Sequence, residues 1–287
     1  MGLDGNNRMK KISYAVATMV ASGLILLFTF IGIGDLLPGK DIPSIPASAI
    51  LIKDLTNNQT IYSYNENESC HIASLTKIMT SILIIERIKL DTLVKVSRNV
   101  KKINTWKLGL KWGQKIRMSD LLYAMLIESR NDAALVAAEA IAGTEKNFVE
   151  LMNKKAREIG ATNTKFTNSH GLDTDGGNFS TASDLAKITR YALKKSLFAK
   201  IINTKEKDIY WKDSKTHHRK LKTVNKMLLL YEGVDGVKTG YTRLAGKCIV
   251  TTCMKNGQQL LCIILNTDDL WKNTPKILDY GFSYENY

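Results

Sequence analysis

The hydrophobic pattern changes twice along the chain. The segment AILIKDLTNNQTIYSYN, residues 49–65, alternates like two strands joined by a turn. Apolar residues then recur at helical spacing through the middle of the chain. After residue 204, short alternating runs such as KCIVTTCM and QLLCIIL predict strands again, and a last helix is predicted around TPKILDYGF. This order predicts an α+β protein in which both strand regions join one mostly antiparallel sheet flanked by helices.

The central helical block carries the clearest element boundaries. Helices are predicted over residues 74–87, 119–127, 131–143, 144–160 and 181–195. The first is apolar nearly all round, so we place it in the middle of the protein. Thr181 and Asp184 have the spacing of a capping box at the start of the last of these helices. The polar stretch ESRND, residues 128–132, predicts a short exposed loop between the second and third helices.

An uncharged run at residues 12–34 precedes these elements. As a helix rising about 1.5 Å per residue it would reach roughly 34 Å, enough to cross a hydrocarbon core of about 30 Å. Basic residues precede the run and Asp35 follows it, which orients the amino terminus inward. We expect a cytoplasmic tail at 1–11, a transmembrane anchor at 12–34, a spacer at 35–47 and a folded body at 48–287. A cleavable signal peptide is the alternative, although its apolar region is usually only about 7–15 residues long.

The chain carries a large positive charge. It has 41 basic and 27 acidic residues, for a formal net charge of +14. The body is itself basic, because only Asp4, Arg8, Lys10 and Lys11 precede residue 12 among the charged residues. The lysines are spread along the chain without the signature of a nucleic-acid-binding module, so we expect no nucleic-acid partner. An anionic membrane face or envelope polymer fits the charge better, and a plain solvated surface is the simplest interpretation.

The cysteine spacing argues against a metal site and against disulfides. The chain contains Cys70, Cys248, Cys253 and Cys262, without a C-x-x-C pair or a partnering histidine spacing. CIVTTCMKNGQQLLCIIL predicts a hairpin that turns at Asn256-Gly257. This register places Cys253 and Cys262 on a diagonal of about 7–8 Å, too far apart for a disulfide of ordinary geometry. We expect free and mostly buried thiols.

A serine and a lysine open the apolar central helix. Ser74 and Lys77 stand three residues apart in HIASLTKIMTS, and on a helix they share one face. An amine placed there must be neutralised, paired or desolvated, and a depressed pKa would let it take the serine proton. N–H groups at the helix start can stabilise a developing oxyanion. Alone the pattern proves little, because a chain of this length shows about one S-x-x-K by chance.

Two more polar motifs follow in order. An S-x-N at residues 129–131 falls in the predicted loop, and K-T-G at residues 238–240 falls on a predicted strand. K-T-G arises by chance in only about one of ten such chains. Ser129 and Asn131 can relay a proton to a leaving group and hold a substrate amide. Lys238 and Thr239 can bind a carboxylate, and Gly240 lets a substrate backbone lie against the strand edge.

The three motifs together are a signature of penicillin-binding proteins and class A β-lactamases. Within that group the chain resembles the D-alanyl-D-alanine carboxypeptidases among the low-molecular-mass penicillin-binding proteins, over most of residues 48–284. The likeness is carried by ASLTKIMTS, SRNDAALVAAEAIAG, FTNSHGLDTDGGNFSTASDLAKI, GVDGVKTGYT and AGKCIVTTC. HGLD and STAxD are typical of this family and not of class A β-lactamases. The resemblance implies a β-lactamase/transpeptidase-like fold.

The resemblance also implies roles for single residues. It assigns catalysis to Ser74, Lys77, Ser129 and Asn131, and substrate binding to Lys238, Thr239, Gly240 and Tyr241. Ser74 would be the acylated nucleophile and Lys77 its base, with an oxyanion hole from the N–H groups of Ser74 and Tyr241. The implied substrate is a peptidoglycan stem pentapeptide ending in D-Ala-D-Ala, β-lactam antibiotics would be covalent inhibitors, and no cofactor is needed. The implied location is the bacterial cell membrane, with a single span and the catalytic domain outside the cytoplasm.

Several alternatives stay open at this stage. The same site chemistry fits a DD-transpeptidase or a DD-endopeptidase, which differ from a carboxypeptidase in pocket shape and water access. A β-lactamase fits less well, because the sequence shows no carboxylate motif for fast deacylation. A non-enzymatic protein that holds anionic envelope polymer is the remaining alternative, and the intact motif residues argue against it.

Two features depart from the family pattern. Asn178 stands in GGNFSTA, where relatives often carry histidine, so its loop contact is not implied by the resemblance. The likeness also ends after the last predicted helix, without the strand-rich second domain and carboxy-terminal amphipathic anchor of many relatives. We expect the amino-terminal segment to replace that anchor.

Other polar residues receive structural interpretations. His170 in SHGLD is expected to pack in its loop, because no G-x-S-x-G elbow is present for a Ser-His-Asp triad. His217 and His218 are neighbours on a predicted strand and would face opposite sides, which argues against a metal pair. Glu128 and Asp132 are expected to be helix-end residues that can tune the site by their charge.

Overall fold

The computed structural model describes residues 43–284 of the chain. The predicted cytoplasmic tail, the predicted anchor at 12–34 and most of the predicted spacer lie outside the described residues. Between residues 43 and 284, no helix has both the length and the apolar character that a membrane crossing requires. The first strand begins at Ala49.

A five-stranded antiparallel sheet forms the centre of the fold. Its strands are β1 (Ala49–Asp54), β2 (Gln59–Tyr64), β9 (Val234–Thr242), β10 (Gly246–Lys255) and β11 (Gln258–Thr267). Their order is β2-β1-β11-β10-β9, so the first hairpin pairs with the last strand. The prediction that the two strand regions join in space is confirmed. Strand β9, which carries K-T-G, lies at one edge of this sheet.

Two smaller sheets complete the strands of the described residues. β3 (Cys70–His71) pairs with β6 (Phe179–Ser180). The four strands β4 (Leu93–Lys95), β5 (Lys115–Arg117), β7 (Glu206–Lys212) and β8 (Thr216–Lys222) form an antiparallel sheet in that order. Alternation in the sequence predicts β7 and β8. It does not predict β3 to β6, because a strand of two or three residues is too short to show a period.

The helices of residues 43–284 pack mainly into one block. They are α1 (Lys77–Arg87), α2 (Met118–Ile127), α3 (Asn131–Ala142), α4 (Glu145–Glu158), α5 (Ala182–Leu193), α6 (Ser196–Ile202), α7 (Met227–Leu230) and α8 (Leu270–Ser283). Helix α1 is buried from Lys77 to Ile84, which confirms its predicted central place. Ser74 is not yet α-helical, because Ala73–Thr76 form a turn of 3₁₀ helix before α1. A φ of 45° at Ala73 bends the chain there, so the helical hydrogen-bond ladder starts only after it.

The main sheet separates two hydrophobic clusters. Alternate residues of β1 face opposite sides, as Ala49 and Leu51 pack with the helical block while Ile50 and Ile52 pack with α8. The β10–β11 hairpin has the predicted register, since Thr251 pairs with Cys262. All four cysteines are free, and those on the hairpin strands are buried, as predicted.

Polar caps fix the starts of two helices. The Thr144 side chain accepts the N–H of Asn147 at 3.1 Å, and the Thr181 side chain accepts the N–H of Asp184 at 3.0 Å. The predicted cap at the start of α5 is therefore confirmed. The carboxylate of Asp184, the other residue of the predicted capping box, is buried. It accepts the N–H of Asn163, in the loop before β6, at 2.7 Å.

Replacing Thr181 tests how much this cap stabilises the fold. Thr181→Ala removes the acceptor for a buried N–H and should lower the free energy of unfolding by about 1 kcal/mol. Thr181→Ser keeps the hydroxyl and is the matched control. Urea denaturation measures both variants. An equal loss in the two would show that the methyl group, and not the cap, stabilises this helix start.

Candidate active site

Ser74 and Lys77 meet groups from two distant segments of the chain. The Nζ atom of Lys77 lies 2.8 Å from Oγ of Ser74, 2.7 Å from Oδ1 of Asn131 and 2.5 Å from the backbone oxygen of His170. Lys77 is fully buried, whereas Ser74 is partly exposed. The hydroxyl is therefore open to a ligand while its amine neighbour is closed off from water.

The surroundings of Lys77 favour its neutral form. Burial lowers the pKa of Lys77 well below its usual range, the charge of Lys238 lowers it further, and the carboxylate of Asp132 opposes the shift. A neutral amine has two N–H donors and one lone pair. The amide and backbone oxygens just described accept the two donors, so the lone pair is directed at the hydroxyl of Ser74. Lys77 is thus placed to accept the serine proton.

Two glycines let other segments pack against the backbone of Ser74. A Cβ atom on Gly240 would lie 2.9 Å from the backbone nitrogen of Ser74. A Cβ atom on Gly171 would lie 2.0 Å from the backbone oxygen of Ala73, and Gly171 has a φ of +91°. Side chains at either position would force the segments apart. The turn that carries Ser74 is therefore held between strand β9 and the HGLD loop.

Ser129 and Lys238 join the second and third motifs. Nζ of Lys238 donates to Oγ of Ser129 at 3.0 Å and to the backbone oxygen of Thr239 at 2.8 Å. Burial lowers the pKa of Lys238 to about 7. Ser129 has a φ of 61°, a left-handed conformation that an L-residue adopts only when surrounding contacts enforce it. Each lysine of the site thus holds one serine hydroxyl.

The loop of residues 104–110 holds Asn131 in place. Nδ2 of Asn131 donates to the backbone oxygen of Thr105 at 3.0 Å, and its N–H donates to the backbone oxygen of Trp106 at 2.9 Å. The buried carboxylate of Asp132 accepts the N–H groups of residues 108–110 at 2.7, 2.8 and 3.1 Å. Asp132 is a helix-end residue, as expected. It also fixes the loop that orients the amide beside Lys77.

Glu128 connects the S-x-N loop to the four-stranded sheet. Its carboxylate accepts hydrogen bonds from the guanidinium groups of Arg130 and Arg219 and from the N–H of Lys222. Burial would raise the pKa of Glu128, but these donors and the two guanidinium charges hold it below its usual range. The guanidinium of Arg130 also lies over the ring of Trp106, 5.7 Å from its centroid. These contacts, which lie outside the site, therefore hold the S-x-N loop in place.

His170 contributes its backbone carbonyl to the site. Its ring is buried, and Nδ1 accepts the N–H of Leu172 at 3.1 Å. Burial lowers the pKa of His170 to about 3, so the ring is neutral. The expectation that the ring packs in its own loop is confirmed. The contact between its carbonyl and the amine of Lys77 is an addition to that expectation.

Asn178 links the same loop to the turn before α1. Oδ1 of Asn178 accepts the N–H of Thr167 at 2.7 Å and the N–H of Asn168 at 3.2 Å. Its Nδ2 donates to Oγ1 of Thr76 at 2.8 Å. Thr76 lies between Ser74 and Lys77 in the chain. Asn178, the residue that departs from the family pattern, thus uses both polar side-chain atoms in hydrogen bonds beside the S-x-x-K motif.

The K-T-G residues alternate across strand β9. Lys238 and Gly240 are buried, Thr239 is partly exposed and Tyr241 is exposed. Because β9 is the edge strand of the main sheet, its outer backbone groups are available to an extended ligand. Gly240 also has an internal role, since its missing side chain makes room for the backbone of Ser74.

The histidines of the strand region make separate contacts. The ring of His217 stacks on Trp211, whereas His218 lies beside Tyr210 and contacts Asp208 at 2.6 Å. Alternation along β8 therefore separates the two rings, as predicted. Among residues 43–284, no group of three or more His, Cys, Asp or Glu side chains is placed to hold a metal ion.

Three parts of the site were not among the residues that the sequence predicted for it. They are the carbonyl of His170, the close approach at Gly171 and the loop of residues 104–110. The HGLD run contains the first two, but a backbone carbonyl has no residue-type signal. Glycine is needed at residue 171 because of its positive φ and its close approach to Ala73, and neither is visible in the sequence.

Sequence comparison agrees with this geometry. The family model for D-alanyl-D-alanine carboxypeptidase, peptidase family S11, matches residues 39–269. The chain is 34% identical to the D-alanyl-D-alanine carboxypeptidase DacF of Bacillus subtilis (strain 168) over 249 residues. It is 31% identical to DacC of Escherichia coli (strain K12), which has the same description, over 259 residues. Each match covers 84% of this chain, but the chain spans only 63% and 62% of the length of these curated relatives.

Solved structures show the same architecture. A variant of the Streptomyces K15 DD-transpeptidase is similar with a TM-score of 0.79 and 27% identity, covering 84% of this chain and 99% of that one. Penicillin-binding protein D2 of Listeria monocytogenes, in its ampicillin-bound form, is similar with a TM-score of 0.74, 27% identity and the same coverage. The predicted transpeptidase-like α+β fold is therefore confirmed. Since the family match encloses all three motifs and spans most of the chain, this protein belongs to the D-alanyl-D-alanine carboxypeptidase family, peptidase family S11.

Proposed function

We propose that this protein is a serine-type D-Ala-D-Ala carboxypeptidase. It removes the terminal D-alanine from peptidoglycan stem pentapeptides and so limits their cross-linking. The observation that carries the proposal is the buried amine of Lys77, 2.8 Å from the partly exposed hydroxyl of Ser74. A serine hydroxyl becomes an effective nucleophile when an adjacent base accepts its proton.

The reaction proceeds through an acyl-enzyme. Oγ of Ser74 forms a bond to the carbonyl carbon of the penultimate D-alanine, and its proton passes to Nζ of Lys77. The N–H groups of Ser74 and Tyr241 stabilise the oxyanion. The C–N bond then breaks, and the proton on Nζ of Lys77 passes through Ser129 to the amine of the departing D-alanine. Water then attacks the ester carbonyl carbon while Lys77 accepts its proton, and that proton passes to Oγ of Ser74 as the ester C–O bond breaks. The reaction uses no cofactor.

The terminal carboxylate of the substrate binds beside strand β9. Lys238 supplies the charge and Thr239 supplies a hydroxyl, while the stem peptide extends along the free edge of the strand. Asn131 holds a substrate amide. Because the buried Lys238 has a pKa lowered to about 7, an arriving carboxylate also stabilises its charged form.

β-Lactam antibiotics are proposed inhibitors of the same serine. They present a strained amide and a carboxylate to the groups that bind the peptide. The similarity to penicillin-binding protein D2 of Listeria monocytogenes supports this proposal, since that protein has been solved with ampicillin bound.

A DD-transpeptidase is the second candidate function. The observation that favours it is the similarity to the Streptomyces K15 DD-transpeptidase at a TM-score of 0.79. The two activities share the acyl-enzyme and differ in whether water or an amine resolves it. The curated relatives described as carboxypeptidases favour water as the acceptor.

The proposed location is the bacterial cell membrane. Residues 12–34 would form a single span, residues 1–11 a cytoplasmic tail and residues 35–47 a spacer to an extracytoplasmic body. The uncharged run and the basic residues before it support this proposal.

Intact-protein mass tests the nucleophile and the activity together. Incubation with penicillin should add one penicillin mass to the full-length protein, and a peptide ending in D-Ala-D-Ala should release free D-alanine. Ser74→Ala should lose the adduct and the D-alanine release, because Ser74 carries the hydroxyl that pairs with the amine of Lys77 among residues 43–284. Ser196→Ala, at the exposed start of α6, is the matched control. D-alanine release by Ser74→Ala would refute the proposed function, and a stable adduct without release would favour the transpeptidase.

The pH dependence of kcat/KM reports the two buried lysines. Lys77 must be neutral, so activity should fall as the pH drops through its lowered pKa. Lys238 must be charged to bind the carboxylate, so activity should also fall as the pH rises above about 7. The same peptide with a carboxamide end lacks the charge that Lys238 binds. For this peptide kcat/KM should be lower and should not fall as the pH rises above about 7. A fall at alkaline pH that persists with the carboxamide would contradict the role of Lys238.

Gly240→Ala tests the spacing between strand β9 and Ser74. The added Cβ atom would lie 2.9 Å from the nitrogen of Ser74, so the strand or the turn must shift. We expect the acylation rate by penicillin to fall roughly a hundredfold, as a misplacement of about 1 Å does. Gly281→Ala is the control, since its Cβ atom meets side-chain atoms of Leu260 and Ile52 and no backbone, far from the motifs in the chain. Equal acylation by the two variants would show that this spacing does not matter.

A further inference from the structure

Three lysines lie side by side across the four-stranded sheet. In the antiparallel register, Lys95 of β4 pairs with Lys115 of β5, and Lys115 pairs with Lys212 of β7. All three are exposed. Directly opposite residues have Cβ atoms about 4.5–5.5 Å apart, and like charges at such positions destabilise a sheet. We call these three residues the lysine row.

The lysines of the row have no carboxylate in ion-pair contact within the part of the chain that the structure describes. None of its three lysines forms an ion pair or hydrogen bond there, apart from backbone strand pairing. The carboxylates of β7 are already bound elsewhere, as Glu206 contacts Lys220 at 2.5 Å and Asp208 contacts His218 at 2.6 Å. The three lysines therefore form a row of positive charge that no ion pair of the described residues neutralises.

A cleft of about 360 Å³ opens on this sheet. Lys115 and Lys212 of the row line it, together with Arg117, Tyr210 and Trp211. Tyr210 is 53% exposed, although its ring also lies beside that of His218. The lining includes one carboxylate, Asp91, against three cations. Exposed aromatic rings stack on the apolar faces of sugar rings, and cations bind carboxylate or phosphate groups.

The basic character extends from this cleft toward the candidate active site. Residues 92–119 contain eight basic residues and no acidic residue. The same segment includes Trp106, whose backbone oxygen accepts the N–H of Asn131 at 2.9 Å. Lys115 follows Lys107 by eight residues, so the two lie at most about 28 Å apart along an extended chain. One polymer is long enough to reach both places.

We infer that the lysine row and its cleft form a second binding site, for an anionic polysaccharide of the cell envelope. The site holds the polymer while a stem peptide attached to it occupies the catalytic groups. The inference rests on the proposed function for the choice of polymer. The anionic groups come from stem-peptide carboxylates or from phosphate groups of a wall polymer, and both have the chemistry that the row binds.

Binding to purified peptidoglycan sacculi tests the site without catalysis. Full-length protein in detergent carries Ser74→Ala in every sample, so the polymer stays intact. The test pair is Lys115→Gln with Lys212→Gln. The control pair is Lys146→Gln with Lys154→Gln, two exposed lysines of α4 that remove the same charge. At about 0.1 M salt the test pair should bind roughly tenfold more weakly than the control pair.

The preparations of sacculi identify the source of the anions. A loss for the test pair on sacculi with and without attached phosphate polymer supports stem-peptide carboxylates. A loss only where the phosphate polymer is present supports phosphate groups. Equal binding by the two pairs on both preparations overturns the inference. An effect of the test pair only on binding to phosphatidylglycerol vesicles also overturns it, since the row would then face lipid.

Kinetics and stability separate this inference from the proposed function. With Ser74 intact, the test pair should release D-alanine from a soluble peptide with unchanged kcat/KM, while the KM for polymer-bound stem peptides rises roughly tenfold at unchanged kcat. No D-alanine release from the soluble peptide by the unmodified protein would refute the proposed function and leave the sacculus binding as a separate result. The test pair should also unfold at a higher temperature than the control pair, which shows that weaker binding is not a loss of folding.

Discussion

The amine of Lys77 has no access to water, and its neighbours in the fold follow from that condition. An ammonium taken out of water costs several kcal/mol unless charge and hydrogen bonds compensate. Here the compensation consists of oxygens from Ser74, Asn131 and His170, all within 2.8 Å of Nζ. These oxygens also bind the neutral amine, so the same packing that compensates for burial places an amine able to accept a proton beside the hydroxyl of Ser74.

Each oxygen around that amine is positioned by a different part of the protein. Asn131 depends on the loop that Asp132 holds through three backbone N–H groups. The carbonyl of His170 depends on the HGLD loop, which Gly171 lets approach the turn before α1. Ionic groups outside the site, such as the carboxylate of Glu128 with its two arginines, brace these loops. The chemistry is therefore a property of the whole helical block and not of one motif.

The protein uses positive charge in two physically different ways. Lys77 and Lys238 are buried, and burial lowers the pKa of both, so their charge depends on the local site and on the ligand. The lysines of the lysine row stay in water, where the charged form carries no desolvation cost but its field is screened by salt. A buried cation suits proton transfer and selective carboxylate binding, whereas an exposed row suits weak and reversible attraction of a polyanion.

The sequence by itself determined the elements whose signals are local. Helical periodicity located α1 and its neighbours, the Thr181 cap marked the start of α5, and Asn256-Gly257 set the register of the last hairpin. The order of the three motifs predicted the candidate site residues, because acyl transfer requires particular functional groups. These features depend on residue type over a few positions, which a sequence displays directly.

Only the tertiary structure decided how those groups meet. The carbonyl of His170 reaches Lys77 across 93 positions of sequence, and a backbone oxygen leaves no signature in residue type. The short strand β5 pairs with the longer β7, and β4 pairs with β5, so the lysine row cannot be recognised before the register of these strands is known. Burial of Lys77 determines whether its amine carries a proton at neutral pH. Every segment packed around the side chain contributes to that burial. Contacts between distant segments depend on the whole fold. For that reason the sequence predicted which groups belong to the candidate site, whereas only the structure shows how they contact one another.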